Sequence, residues 1–111
     1  MNMWSNWHLR REYAQLNRKY FKGQLPKIRV FYGYVRSMPT ASYMAFACTD
    51  RIVLQPWLRR SGKVSIYALL HEMVHIKLYA LGLDAGHGPR FDKETRRLYK
   101  AGAFDNILYG A

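Results

Sequence analysis

The segment of this 111-residue chain that best fits known chemistry is His71-Glu72-Met73-Val74-His75. Residues i and i+4 lie on one face of an α-helix, so the two imidazoles can reach one metal ion. Neutral imidazole is a good zinc ligand, and a catalytic zinc site uses three protein ligands and a water molecule. Glu72 can face that water, take its proton as zinc lowers its pKa, and return the proton to a leaving amine. The segment therefore predicts a zinc hydrolase with His71 and His75 as ligands and Glu72 as general base.

A third ligand must come from outside this helix. His87 is the leading candidate, because Gly82 and Gly86 let its loop turn back toward the helix. The alternative is a downstream carboxylate, either Asp92 or Glu94. We thus expect one Zn²⁺ ion, and the predicted ligands are His71, His75 and His87.

Further groups should support the predicted ligands. A ligating histidine usually donates its other N–H group to a carboxylate or a carbonyl, and Asp84, Asp92 and Glu94 are the acids near enough in sequence. Hydrolysis also needs a group that stabilises the developing oxyanion, and the nine tyrosines leave that choice open. His8 lies far from the motif in sequence, and we expect it to be a surface or core histidine.

The hydropathy pattern predicts an α+β fold that carries the motif on its second long helix. Because the links between the strands look short, we expect a small three-stranded antiparallel sheet. Asn6 is the predicted N-cap of the first helix, and Gly82 the predicted end of the second. The tail over residues 103–111 is apolar enough to pack on the core, and residues 1–111 form one predicted domain. The predicted elements are a helix over 6–22, strands over 27–35, 41–48 and 51–55, a helical turn at 56–57, and helices over 63–81 and 89–101.

The composition bounds the class of protein. A single cysteine, Cys48, excludes an internal disulfide framework and an all-cysteine zinc site within this sequence. No apolar run reaches the length needed to span a bilayer, and we expect a soluble, intracellular protein in the cytoplasm or nucleoid. The net charge of +11 favours an anionic partner, with nucleic acid first and an anionic membrane surface second.

Basic residues near the motif are the candidate DNA contacts. They flank the predicted active-site helix and follow His87, where they can contact phosphates. Trp4, Trp7 and Trp57 either stack on unpaired bases or pack in the core. No base-reading motif is present, so we expect DNA binding without sequence specificity. The predicted contacts are Arg59, Arg60, Lys63, Arg90, Lys93, Arg96, Arg97 and Lys100.

Several segments together resemble the SprT-like (Spartan-type) metalloprotease family. The segments Leu69–His75 and Gly86–Phe91 are similar to the family's two metal-binding motifs. Tyr20–Leu25 resembles its helix-ending turn, and Arg51–Leu54 resembles the strand before its active-site helix. The resemblance covers about residues 13–100.

The resemblance implies a zincin-like protease domain that cleaves proteins bound or crosslinked to DNA. It places the same three histidines on zinc and Glu72 as the base, with protein as substrate and DNA as the activating partner. The sequence lacks the cysteines of the zinc ribbon found in larger members. Two alternatives stay open, namely a basic DNA-binding module with a structural or vestigial zinc site, and a hydrolase of another substrate on the same scaffold.

Overall fold

The computed structural model describes residues 3–34, 44–105 and 107. Within them the chain is α+β, with a mixed three-stranded sheet. The predicted turn at 37–40 and the start of the predicted second strand lie outside the described residues. In chain order the elements are α1 (Asn6–Tyr20), β1 (Arg29–Tyr32), β2 (Ala45–Cys48), β3 (Arg51–Leu54), a 3₁₀ helix (Pro56–Arg60), α2 (Gly62–Ala80) and α3 (Pro89–Lys100).

The sheet is mixed, so the prediction of an antiparallel sheet was wrong. β2 and β3 form the expected antiparallel hairpin through Thr49 and Asp50, but β1 pairs with β3 in parallel and the strand order is β1-β3-β2. Residues 33–44 separate β1 from β2 in the sequence, and a link of this length does not force the two strands to pair as a tight hairpin would. Alternating hydropathy reports which face of a strand is buried and carries no information about its neighbour.

α1 begins at the predicted residue, Asn6, and ends two residues earlier than predicted. Ser5 is the N-cap, and its backbone N–H donates to His8 Nδ1 at 3.0 Å. Asn6, the predicted cap, instead accepts a hydrogen bond from the Tyr32 backbone N–H at 2.8 Å, which ties α1 to β1. The helix stops because Lys22 and Gly23 adopt positive φ angles of 54° and 70°.

α2 is the central helix and packs against the sheet. Ser61 caps it by accepting a hydrogen bond from the Val64 backbone N–H, and Gly82 follows its end at φ 69°, as predicted. Its buried residues include Leu69, Leu70 and Met73. Because most side chains in the middle of α2 are buried, the motif histidines lie on a rigid, largely buried helix.

The segment after α3 also joins the core, as far as it is described. Ala103 and Phe104 are buried, and Ile107 packs against the core cluster. The rest of the predicted tail lies outside the described residues. No helix in the described ranges is both long enough and apolar enough to cross a membrane.

Candidate metal centre

Three imidazoles converge at the C-terminal half of α2. His71 and His75 are one helical turn apart, and the loop after α2 returns His87 to face them. His87 Nε2 lies 3.1 Å from His71 Nε2 and 3.2 Å from His75 Nε2. The structure therefore brings together the three residues that the sequence predicts as ligands.

The spacing of these nitrogen atoms fits a tetrahedral metal site. Zinc–nitrogen bonds of about 2.0–2.1 Å at tetrahedral angles place two ligand nitrogens about 3.4 Å apart. Each ring nitrogen of a neutral imidazole is either a donor or an acceptor, so His87 Nε2 cannot donate to one of these nitrogens and accept from the other. A shared cation satisfies all three nitrogens at once, and the donor set suits zinc.

Two neighbours orient the imidazoles. The Nδ1 atom of His75 lies 2.5 Å from the carbonyl oxygen of Ala85, which leaves its Nε2 atom facing the cluster. The ring of Phe91 lies 4.9, 4.6 and 4.7 Å from the rings of His71, His75 and His87. Phe91 is buried at the start of α3 and so forms an apolar wall behind the three rings.

The surroundings keep two of the imidazoles neutral, which is the form that binds a metal. Burial, together with the nearby His75 and His87, lowers the pKa of His71 to about 4. Burial is also the main cause that lowers the pKa of His75, although the Ala85 carbonyl opposes it. Both sites can therefore bind a cation at neutral pH without first losing a proton.

Glu72 is the acidic residue most deeply enclosed near the cluster. Its side chain is only 5% exposed, and burial raises the pKa of its carboxyl group to about 7. The small side chains of Ala45 and Ala47 on β2 line the same space above it. A carboxyl group held in this way can accept a proton from a neighbouring molecule near neutral pH.

An open cavity of about 450 Å³ contains these groups. One wall is β2, the floor is α2, and the opposite wall is the loop over residues 84–87. Tyr79 lies one helical turn beyond His75. Of the tyrosines in the described residues, it is the one that lines this cavity. The spacing of residues 71, 75 and 79 places Tyr79 on the same helix face as the two histidines. This spacing could have identified Tyr79 from the sequence, whereas the number of tyrosines could not.

Two of the acidic residues predicted as an alternative ligand or as a partner of a ligating histidine, Glu94 and Asp84, have other hydrogen-bond donors. Glu94 accepts hydrogen bonds from Lys77 Nζ at 2.9 Å and from Arg97 Nε at 2.7 Å, which joins α3 to α2. Asp84 accepts from the Gly86 backbone N–H at 3.0 Å and so shapes the loop that carries His87. In the part of the chain that the structure describes, neither acid belongs to the metal-binding cluster, nor does Asp92.

The predicted DNA contacts fall into two groups. Arg59 donates to the Trp4 carbonyl, and Arg97 pairs with Glu94 and donates to the Tyr20 carbonyl. Trp4 packs on Gly62 and stacks on His8, whereas Trp7 and Trp57 are 54% and 52% exposed. Seven members of the predicted set are exposed and Arg59 is half-buried; the exposed ones are Arg60, Lys63, Arg90, Lys93, Arg96, Arg97 and Lys100.

Comparison with known proteins points to one family. No curated protein and no solved structure matches this chain significantly. The sequence model of the SprT-like family matches residues 9–107, which include all three histidines and Glu72. The chain therefore belongs to the SprT-like family, which is associated with metalloprotease activity.

Proposed function

We propose that this protein is a zinc-dependent endopeptidase that acts on DNA-associated or DNA-crosslinked proteins. One observation carries the proposal: three imidazole nitrogens converge beside a buried carboxyl group in a single open cavity. Membership of the SprT-like family supports the same reading.

The residues have distinct roles in this proposal. His71, His75 and His87 hold the zinc, which when bound polarises a carbonyl group and makes water more acidic. Glu72 takes a proton from the attacking water and later gives it to the amine that leaves. An extended peptide lies between β2 and the loop over residues 84–87, where Ala45 and Ala47 leave room for its backbone.

The cluster favours a catalytic site over a structural one. Structural zinc sites are closed by four protein ligands, whereas catalytic sites have three and keep one position open. Among the described residues, three histidines form the group and no other histidine, cysteine or acid joins it. The cavity beside them leaves space for water and substrate. This counts against the alternative of a DNA-binding module with a structural zinc.

DNA is the proposed partner because of charge. The sequence carries a net charge of +11, and seven predicted contacts are exposed at the start of α2 and along α3. Phosphate contacts of this kind give binding without sequence preference. Such binding would raise the local concentration of substrate proteins on the same strand.

The test combines metal content with a matched pair of variants. Purified protein should hold about one zinc ion and cleave a basic DNA-binding protein, more so with single-stranded DNA present. Glu72→Gln should keep the zinc and cleave about 100-fold more slowly or worse, because a general base typically raises the rate by about 10²–10⁴-fold. Glu12→Gln makes the same change on α1 and should stay active. Full activity in Glu72→Gln would exclude the mechanism. Equal cleavage with and without single-stranded DNA would exclude DNA as the partner.

A further inference from the structure

A groove lies between α1 and the segment that leads into β1. Its volume is about 350 Å³, which is within the usual range of ligand-binding sites. None of the residues described along it also lines the cavity of the metal centre. The groove is therefore a surface feature that the proposed reaction does not use.

The floor of the groove is apolar. Leu25 and Val30 are buried there, and Tyr13 is only 6% exposed. The Tyr13 hydroxyl group donates to the Pro26 carbonyl at 2.6 Å, and the side-chain amide of Asn17 exchanges two hydrogen bonds with the Leu25 backbone. Because these polar side chains already have partners, the floor offers an occupant mainly apolar contacts.

Three cationic side chains form the rim of the groove. Arg10 and Arg18 lie on α1, and Lys27 lies across from them in the segment before β1. All three are exposed, and none of these side chains makes an ion pair, a hydrogen bond or a ring contact with another described residue. No aspartate or glutamate is among the described residues along the groove. Its positive charge is therefore available to an anionic partner.

The spacing of the two arginines favours an elongated partner. Eight residues separate Arg10 from Arg18, which is about 12 Å along the helix axis. A small molecule with one carboxylate reaches only one of them. In an extended peptide, side chains at positions i, i+2 and i+4 point to the same side, and the outer two are about 13 Å apart. Acidic residues at i and i+4 would thus meet the two arginines, while an apolar residue at i+2 meets the floor.

A nucleic-acid strand matches this groove less well than an acidic peptide does. Sites for single strands combine cations with exposed aromatic rings on which the bases stack. Of the residues described along the groove, Tyr13 is the one aromatic, and it is buried. The exposed rim offers charge alone, whereas the apolar floor suits an aliphatic side chain.

We propose that this groove binds an acidic segment of a partner protein in an extended conformation, with an apolar residue between two acidic residues at alternate positions. Arg10 and Arg18 contact the two acidic side chains, and Lys27 adds positive charge from the other side. The apolar side chain lies on the floor beside Leu25 and Val30. This interaction does not depend on the proposed peptidase activity.

The test is an NMR titration of isotope-labelled, zinc-loaded Glu72→Gln, in which the proposed reaction cannot consume the ligand. The probe is a blocked pentapeptide of glutamate, serine, leucine, serine and glutamate. It should shift the resonances of the groove and saturate with a dissociation constant of about 1 mM or below. Replacing its leucine with serine should weaken binding by about 10-fold, because the buried apolar contact is lost. Replacing both glutamates with glutamine should weaken it by about 3–10-fold, as expected for two exposed ion pairs.

Matched protein variants locate the site. Changing Arg10, Arg18 and Lys27 together to Gln should weaken peptide binding by about 10-fold. These side chains are exposed and have no described partners, so the fold should be kept, which circular dichroism checks. Changing Lys93, Arg96 and Lys100 to Gln removes the same charge from α3 and should alter the affinity by less than about 2-fold.

Three results would overturn the proposal. One is the absence of saturable shifts at the groove, and another is equal weakening by the two triple variants. The third is a single-stranded oligonucleotide that shifts the groove resonances when the peptide does not, which would assign the groove to nucleic acid. Since every arm measures binding, a failure of the proposed peptidase function would leave these outcomes unchanged.

Discussion

At the scale of single residues, the carboxyl group of Glu72 serves the proposed reaction but lowers the stability of the folded protein. Its carboxyl group is largely buried on the central helix, and this burial raises its pKa to about 7. Desolvation of the carboxylate destabilises the folded state at neutral pH. The fold tolerates this because α2 is otherwise packed with leucine, valine and methionine side chains.

Replacing this carboxyl group should therefore stabilise the metal-free protein. Glu72→Met keeps a similar volume, and we expect it to raise the free energy of unfolding by about 1–3 kcal/mol, because it removes the cost of desolvating a carboxyl group. Urea unfolding in the presence of a chelator measures the change. Glu72→Gln keeps a polar group in place and should change the stability much less. A less stable Glu72→Met protein would mean that the carboxyl group is well solvated.

The third ligand also gives a prediction at the scale of residues. His87→Ala should weaken zinc binding by more than about 100-fold, because the loss of orienting neighbours alone weakens metal sites by 10–100-fold. Glu94→Gln should weaken it by less than about 10-fold, since Glu94 pairs with Lys77 and Arg97 and lies outside the cluster. Competition with a chromophoric chelator measures both affinities. The opposite order would make Glu94 the ligand.

The sequence could predict which side chains meet here, but not what orients them. Histidines at i and i+4 share a helix face, and glycines around His87 allow the loop to return. The partner of His75 is the backbone carbonyl of Ala85, and every residue has such a group. The sequence therefore suggested acids for this role, and the structure uses none of them in it. Nor did the sequence indicate that the ring of Phe91 lies beside all three histidines.

At the scale of elements, the N-terminal segment is attached to the start of α2. The indole ring of Trp4 lies so close to Gly62 that an added Cβ atom would be 2.6 Å from it. The Trp4 backbone N–H donates to the Arg59 carbonyl, and the Arg59 side chain donates to the Trp4 carbonyl. The contact requires glycine for space, because Gly62 has no positive φ angle.

A double-mutant cycle tests this attachment. Gly62→Ala should destabilise the protein by about 1–3 kcal/mol, because the methyl group displaces the ring. In a Trp4→Ala background the same change should be neutral or stabilising by up to about 1 kcal/mol, since alanine favours helix over glycine. Thermal unfolding gives the four stabilities. Equal effects of Gly62→Ala in both backgrounds would show that Trp4 does not occupy this space.

Glu94 joins α3 to α2 and should give an acid-dependent part of the stability. Burial alone would raise the pKa of Glu94, but hydrogen bonds from Arg97 and Lys77 outweigh burial and lower it below its ordinary value of 4.5. The stabilisation is therefore present above pH 4.5 and is lost as the pH falls through the lower folded-state pKa.

Glu94→Gln should remove this dependence. In metal-free protein we expect Glu94→Gln to be less stable by about 1–2 kcal/mol at pH 6, a value discounted because Arg97 is partly exposed. The difference from wild type should shrink as the pH falls from about 5 to about 3. Urea unfolding across this range measures it. A constant difference would assign the effect to packing instead of charge.

The elements also show where prediction from sequence ended. Helix periodicity placed α2 and α3 within one residue of their ends, because Ser61, Gly82 and Pro89 mark those ends locally. The pairing of β1 with β3 depends on a contact between distant segments, and no local residue encodes it. A sheet's order is therefore the part of this fold that one sequence least determines.

At the scale of the whole molecule, the positive charge is not evenly available. Arg59 and Arg97 already donate hydrogen bonds to backbone carbonyls of other segments, so they contribute less to binding an external partner. Lys93, Arg96 and Lys100 are exposed and lie at i, i+3 and i+7 on α3, so they share one face. That face begins at the loop of His87, which would bring a bound strand beside the proposed active site.

Salt dependence should show whether this face of α3 binds a nucleic-acid strand. For single strands, the logarithm of affinity falls against the logarithm of salt concentration by about 0.7 per phosphate contact. A triple change of Lys93, Arg96 and Lys100 to Gln should therefore weaken binding of a fluorescent single-stranded oligonucleotide and reduce the slope by about 2. The control removes the same charge from Arg10, Arg18 and Lys27, which are exposed near α1. Phosphate contacts made by the face of α3 cannot be lost by changing residues near α1. If the control lowers the slope as much as the α3 variant does, the strand is therefore not localised beside the metal centre.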